Sequence, residues 1–126
     1  MQIDALDHFV MTVADIAASC DFYSRVLGLE IIAFGDNRKA LKIGNQKINL
    51  HQSGKEIHPC AGKPCAGSAD LCFISDLPIP AVIDHLSTAG VPVELGPVPR
   101  TGARGPMMSV YIRDPDENLV EISNYP

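Results

Sequence analysis

The sequence predicts an α+β protein of two tandem βαβββ modules, residues 1–52 and 69–126, forming a cupped mixed sheet within one domain spanning residues 1–126. Three observations predict it. The order strand, helix, strand, hairpin occurs twice. His8 precedes Gly28 by 20 residues, and Asp70 precedes Gly90 by the same interval. Gly44, in the first hairpin turn, precedes His51 by seven residues, as Asp114 in the second turn precedes Glu121. On these intervals His8 corresponds to Asp70, and His51 to Glu121.

Residues 6–13 alternate apolar and polar side chains, as a half-buried strand does. Asp15 is placed to cap a helix through Phe22, Val26 and Leu27, and Gly28 to end it. A strand follows over 29–34. Residues 40–43 and 47–51 flank Gly44-Asn45, a tight-turn pair, and read as a hairpin. Residues 53–68 are turn formers without periodicity and read as a loop. The order then restarts with a strand at 70–74, a helix at 80–89 and a short strand at 92–95. Residues 96–106 read as a second loop. Residues 107–112 and 118–123 form a hairpin around Asp114-Pro115-Asp116.

Composition narrows the function. The chain carries 10 Lys+Arg against 15 Asp+Glu, a net charge of −5. That excludes a general nucleic-acid surface. No apolar run approaches the roughly 18 residues of a membrane span. The N-terminus has Asp4 and Asp7 and no basic start, unlike a signal peptide. The expected setting is therefore cytoplasmic, and Cys20, Cys60, Cys65 and Cys72 read as free thiols.

Strand alternation places the chemistry. Phe9, Met11 and Val13 share one face of the first strand, and Ile48 and Leu50 one face of the hairpin strand. Leu71, Phe73, Val120 and Ile122 do the same in the second module. Those apolar faces suit the helices. The opposite faces carry His8, His51, Asp70 and Glu121, every one a possible metal ligand. Two sheets packed with those faces inward would form a cup around a metal site. Two imidazoles and one or two carboxylates suit Fe²⁺, Mn²⁺, Zn²⁺, Co²⁺ or Ni²⁺. Taken singly, a polar residue at a strand start is more often just solvated.

Three segments, Leu6-Asp7-His8-Phe9-Val10, Phe22-Tyr23 with Val26-Leu27-Gly28-Leu29, and Arg113-Asp114-Pro115-Asp116-Glu117-Asn118 running to Glu121, resemble the vicinal oxygen chelate superfamily. That superfamily includes glyoxalase I, extradiol dioxygenases, fosfomycin-resistance enzymes and bleomycin-binding proteins. The strand Ile48-Asn49-Leu50-His51-Gln52 and the loop Gly54-Lys55-Glu56 resemble a subgroup of glyoxalase-domain and biphenyl-diol-dioxygenase-related proteins. The resemblance implies paired βαβββ modules, a divalent metal at the inner face, and His8 and Glu121 among its ligands. His51 completes a two-histidine, one-carboxylate set, with Asp70 as a fourth ligand or a hydrogen-bond acceptor behind it. Glyoxalase I usually has a carboxylate or amide where this chain has His51, and a histidine where it has Asp70.

The expected function is a metal-dependent enzyme that chelates two adjacent oxygens of a small substrate. The reaction is either a glyoxalase-like isomerisation or lyase step, with Glu121 or Asp70 as base, or an extradiol ring cleavage on Fe²⁺. His58 could shuttle a proton or stand solvated in its loop. Arg100 and Arg104 could clamp a substrate carboxylate or phosphate, or form a solvated pair. Tyr111 could orient a substrate oxygen or simply pack. The contrasting reading is a metal-free protein of the bleomycin-resistance kind that sequesters a ligand. It predicts apolar or aromatic residues at the four inner positions, which are polar here. The expected assembly is a homodimer, because two such modules expose sheet edges and relatives close the site across a two-fold axis.

Overall fold

The computed structural model describes all 126 residues. The elements are β1 (His8–Val13), α1 (Ile16–Arg25), β2 (Glu30–Phe34), β3 (Arg38–Ile43) and β4 (Gln46–Gln52), then β5 (Asp70–Ile74), α2 (Ile79–Thr88), β6 (Leu95–Gly102), β7 (Gly105–Arg113) and β8 (Leu119–Asn124). They form two four-stranded sheets, in the orders β1-β4-β3-β2 and β5-β8-β7-β6. In each, the first strand runs parallel to the last and every other pair is antiparallel. The identical order confirms the βαβββ repeat. The chain separates into two compact units, Met1–Gly67 and Ser68–Pro126.

Local chemistry sets the element ends. Asp15 accepts from the amides of Ala17 at 2.9 Å and Ala18 at 3.3 Å, satisfying donors that the helix leaves open. Gly28 and Gly90 stand at φ 68° and 74° just past their helices, a backbone region that glycine enters without strain. α1 buries Ser19, Phe22 and Tyr23, and α2 buries Ile79, Val82 and Leu86. The buried partners are Met11, Val13, Leu41, Ile48 and Leu50 in the first unit, and Val110, Ile112, Val120 and Ile122 in the second. Each such side chain contributes about 1.5–3 kcal/mol when fully buried. The apolar faces read from the sequence are thus the ones that pack, save for Phe9 near the start of β1, which stays 38% exposed.

The β7–β8 turn explains the Asp-Pro-Asp-Glu-Asn motif. Asp114, 4% exposed, accepts from the backbone amides of Asp116 and Asn118 with Oδ1. Its Oδ2 accepts from Asn118 Nδ2 at 2.7 Å. Asn118 Oδ1 in turn accepts from the Ala69 amide at 2.8 Å, tying the turn to the start of β5. The motif is a structural clasp.

Two expectations are corrected. Residues 96–106 are not a loop: β6 covers Leu95–Gly102 and pairs antiparallel with β7, while 92–94 are not strand. Pro97 and Pro99 hid it, yet β6 is an edge strand, where a missing amide donor is tolerated. Gly96 lets it approach β7, since a Cβ there would lie 2.6 Å from the Ser109 carbonyl oxygen. The second correction concerns equivalence. His8 pairs with Lys47, two residues before Asn49, and Asp70 pairs with Leu119, two residues before Glu121. Asn49, not His51, therefore matches Glu121, and His51 matches Ser123. The seven-residue count failed because residues 44–45 separate β3 from β4, whereas residues 114–118 separate β7 from β8.

Candidate functional site

In the first unit, alternation puts His8, Thr12, Asn49, His51, Lys47 and Arg38 on the sheet face away from α1. His8 opens β1 with its side chain 45% exposed, and its Nδ1 lies 2.7 Å from Asp7 Oδ2. A carboxylate only accepts, so Nδ1 carries a proton, and in the neutral ring Nε2 is the nitrogen left to ligate. This is the arrangement that orients a metal-binding imidazole.

His51 does not stand with His8. Thr12 is its partner on β1, four residues beyond His8, which is about 13 Å along the strand. His51 is 4% exposed, and its Nε2 accepts from Arg38 Nη2 at 3.3 Å. A guanidinium only donates, so the His51 proton stands on Nδ1, which is buried without a partner. Burial pushes the imidazole below its ordinary pKa; Arg38 pushes the same way and Glu56 opposes it. Distance from His8 and a cation on Nε2 count against His51 as a co-ligand of His8.

In the second unit, Asp70 opens β5 and is exposed. Cys72 pairs with Glu121 on β8, which pairs with Tyr111 on β7, so all four side chains share one face. Glu121 Oε2 accepts from Ser109 Oγ at 2.6 Å and from Ser123 Oγ at 3.2 Å. Cys72 Sγ lies 3.2 Å from Ser123 Oγ. Burial is the main cause raising the Cys72 thiol, with Glu121 and Asp70 adding and Ser123 opposing.

The substrate candidates are already engaged. Arg100 Nε donates to Tyr111 Oη at 2.9 Å, and its guanidinium lies over that ring. Arg104 sits in the β6–β7 turn over the Tyr125 ring at 4.2 Å, while its backbone amide donates to Tyr125 Oη. The two arginines therefore rest on different tyrosines. His58 is an exposed loop imidazole with Nδ1 3.7 Å from Cys60 Sγ. No three His, Cys, Asp or Glu side chains converge to hold an ion. Donor type still suits a divalent metal at His8, Asp70 and Glu121 taken singly, whereas His51 is held by Arg38.

The sequence reading missed Arg38, Asn49, Ser109 and Ser123. Asn49 was legible as the alternate residue two before His51. The serines carried no signal, because short polar residues in a strand are ordinary.

The profile of the Glyoxalase/Bleomycin resistance protein/Dioxygenase superfamily matches residues 5–122. The chain belongs to this superfamily. Among family relatives, it is 54% identical over 125 residues to virulence protein STM3117 of Salmonella typhimurium, covering 99% of this chain and 87% of that protein. The crystal structure of that protein superposes with a TM-score of 0.97, covering all of both chains. Glyoxalase domain-containing protein RDO1 of Mycosarcoma maydis is 50% identical, over 99% of this chain and 70% of its own. The structure of lactoylglutathione lyase from Agrobacterium tumefaciens matches at 25% identity and a TM-score of 0.74, covering 98% of this chain and 95% of that one. The superfamily spans enzymes and resistance proteins, so membership supplies the βαβββ scaffold and individual side chains decide the chemistry.

Proposed function

We propose that the protein is a metal-dependent enzyme of the glyoxalase/dioxygenase type, acting on a small substrate through two adjacent oxygens. The observation that carries this reading is the setting of Glu121. One carboxylate oxygen is held by two serine hydroxyls on the same sheet face as Asp70. A carboxylate oriented from behind is what a ligand or a catalytic base needs. In the first unit, His8, oriented by Asp7, is the exposed imidazole of corresponding donor chemistry.

By donor chemistry, His8 in the first unit and Glu121 in the second are each side chains that would suit Fe²⁺, Mn²⁺, Zn²⁺, Ni²⁺ or Co²⁺, and His51, held by Arg38, is set aside as a ligand. When bound, the metal supplies Lewis-acid polarisation of substrate oxygens. Asp7 fixes the His8 tautomer. Ser109 and Ser123 fix the Glu121 rotamer. Asp70 is the carboxylate available to take a proton from a substrate carbon. Isomerase or lyase chemistry uses that base directly, whereas extradiol cleavage needs no such base and requires O₂ uptake.

The test is metal content by elemental analysis, on wild type and on His8→Ala, Glu121→Ala and His51→Ala. Loss in the first two with retention in the third supports the reading. Full retention in His8→Ala and Glu121→Ala overturns the ligand assignment, and a wild type that takes up no metal leaves the ligand-sequestering alternative. Oxygen-electrode measurement with catechols on Fe²⁺-loaded protein then separates the two reaction classes.

A further inference from the structure

We propose that the first module holds an oxyanion site, formed by Arg38, Lys47, His51 and Asn49, that takes the carboxylate of a small hydroxy acid. The positions follow from register. Ala40 pairs with Asn49 and Lys42 with Lys47, so Arg38 is level with His51 on the same sheet face. Phe34, on neighbouring β2, draws two cations together: the Arg38 guanidinium lies 4.7 Å and Lys47 Nζ 3.6 Å from its ring centroid. Neither cation has a carboxylate within 4.0 Å. The acids nearby are committed: Glu30 pairs with Lys42, and Glu56 Oε1 accepts from the Gly54 amide. A chain of net charge −5 thus keeps two cations on one aromatic ring without an anion.

A second observation points to a ligand. Arg38 Nε, His51 Nδ1 and Asn49 Oδ1 are all buried without partners, and His51 and Asn49 are 4% and 5% exposed. Buried unpaired polar atoms are costly, and structures rarely keep three on one face without use. The two nitrogens are donors and the amide oxygen is an acceptor. A carboxylate answers the donors and the cations. A hydroxyl beside it answers Asn49. Lys47, a flexible side chain, and Arg38, resting on Phe34, are the groups that would shift to admit it. Lys47 pairs with His8, so this site shares a sheet face with that candidate ligand; it needs no metal, and metal-stripped protein therefore tests it apart from the function proposed above.

The test uses metal-stripped protein titrated with glycolate, acetate and inorganic phosphate, read by calorimetry and by the His51 ring resonances. Glycolate is expected to bind more tightly than acetate and to shift the His51 Nδ1 signal. Arg38→Met should weaken it by about 10- to 100-fold, as loss of a charge-assisted pair does. Arg38→Lys, which keeps the cation without Nε, should fall between. Lys39→Met, one residue along and on the opposite sheet face, should leave binding unchanged. Phosphate binding more tightly than glycolate, affinity surviving Arg38→Met, or no binding of any probe at tens of millimolar would overturn the proposal.

Discussion

Ser109 Oγ lies 2.6 Å from Glu121 Oε2 and 2.6 Å from Ser123 Oγ, and Ser109 is fully buried. Each hydroxyl has one proton: Ser109 gives its proton to the carboxylate, and Ser123 shares its own between Ser109 at 2.6 Å and Glu121 Oε2 at 3.2 Å. Glu121 is held by its two neighbouring positions, Ser109 on β7 and Ser123 on its own strand. A single conformation is therefore available to whatever it binds.

Ser109→Ala removes that donor and leaves a partly buried carboxylate oxygen with the longer Ser123 contact alone. Stability should fall by about 1–3 kcal/mol in urea unfolding. Metal affinity should fall about 10–100-fold, as when an orienting partner behind a ligand is lost. Glu121→Ala should remove binding altogether. Equal affinity in Ser109→Ala and wild type would show that the serine only packs.

Gly96 and Gly28 should respond differently to alanine. At Gly96, φ is 119° and a Cβ would lie 2.6 Å from the Ser109 carbonyl oxygen and 2.9 Å from Val110 Cα. Both are backbone atoms of the adjoining strand and cannot step aside. At Gly28, φ is 68° and nothing lies within 4 Å. Gly28→Ala should cost about 1 kcal/mol, the left-handed penalty alone. Gly96→Ala should cost at least about twice that, because β6 must separate from β7. Unfolding midpoints compare them directly.

The helices, the hairpins and the apolar faces were legible because each depends on a local rule: a cap at Asp15, a stop at Gly28, a tight turn at Gly44, alternation from Phe9 to Val13. β6 was not, because its stability comes from pairing with β7 rather than from the preferences of Gly96, Pro97 and Pro99. The candidate site was legible only as residue types on strand faces. His8, Asp70 and Glu121 could be found by residue type and strand position. The slip from Asn49 to His51 came from counting through a turn, where residue number does not track distance. Arg38 could not be linked to His51 without knowing that β3 lies beside β4.

A homodimer is expected. β1 and β5 are both edge strands, and Val10 on β1 and Ile74 on β5 are 45% and 52% exposed. Unpaired edges carrying apolar side chains favour association. Light scattering at micromolar concentration should give twice the 13.5 kDa chain mass. Val10→Lys with Ile74→Lys should shift the mass towards the monomer. A single-chain mass for the wild type would refute the expectation.

His51 should leave a mark on the pH dependence of stability. Its imidazole titrates at about 6.5 in the unfolded chain and lower in the folded one, because burial and Arg38 disfavour the charged form. Above pH ~6.5 both states are neutral there and the group contributes no pH dependence. As pH falls below that value, the unfolded chain gains a proton that the folded chain resists, so stability is lost through that window down to the folded pKa. His51→Gln keeps a neutral polar side chain and removes the proton uptake. The other three histidines are present in both proteins, so the comparison isolates His51. Urea unfolding at pH 7.5 and pH 5 should therefore show the wild type losing more stability than His51→Gln. Parallel losses would mean that the folded His51 accepts its proton freely, and that Arg38 does not sit on Nε2 in solution.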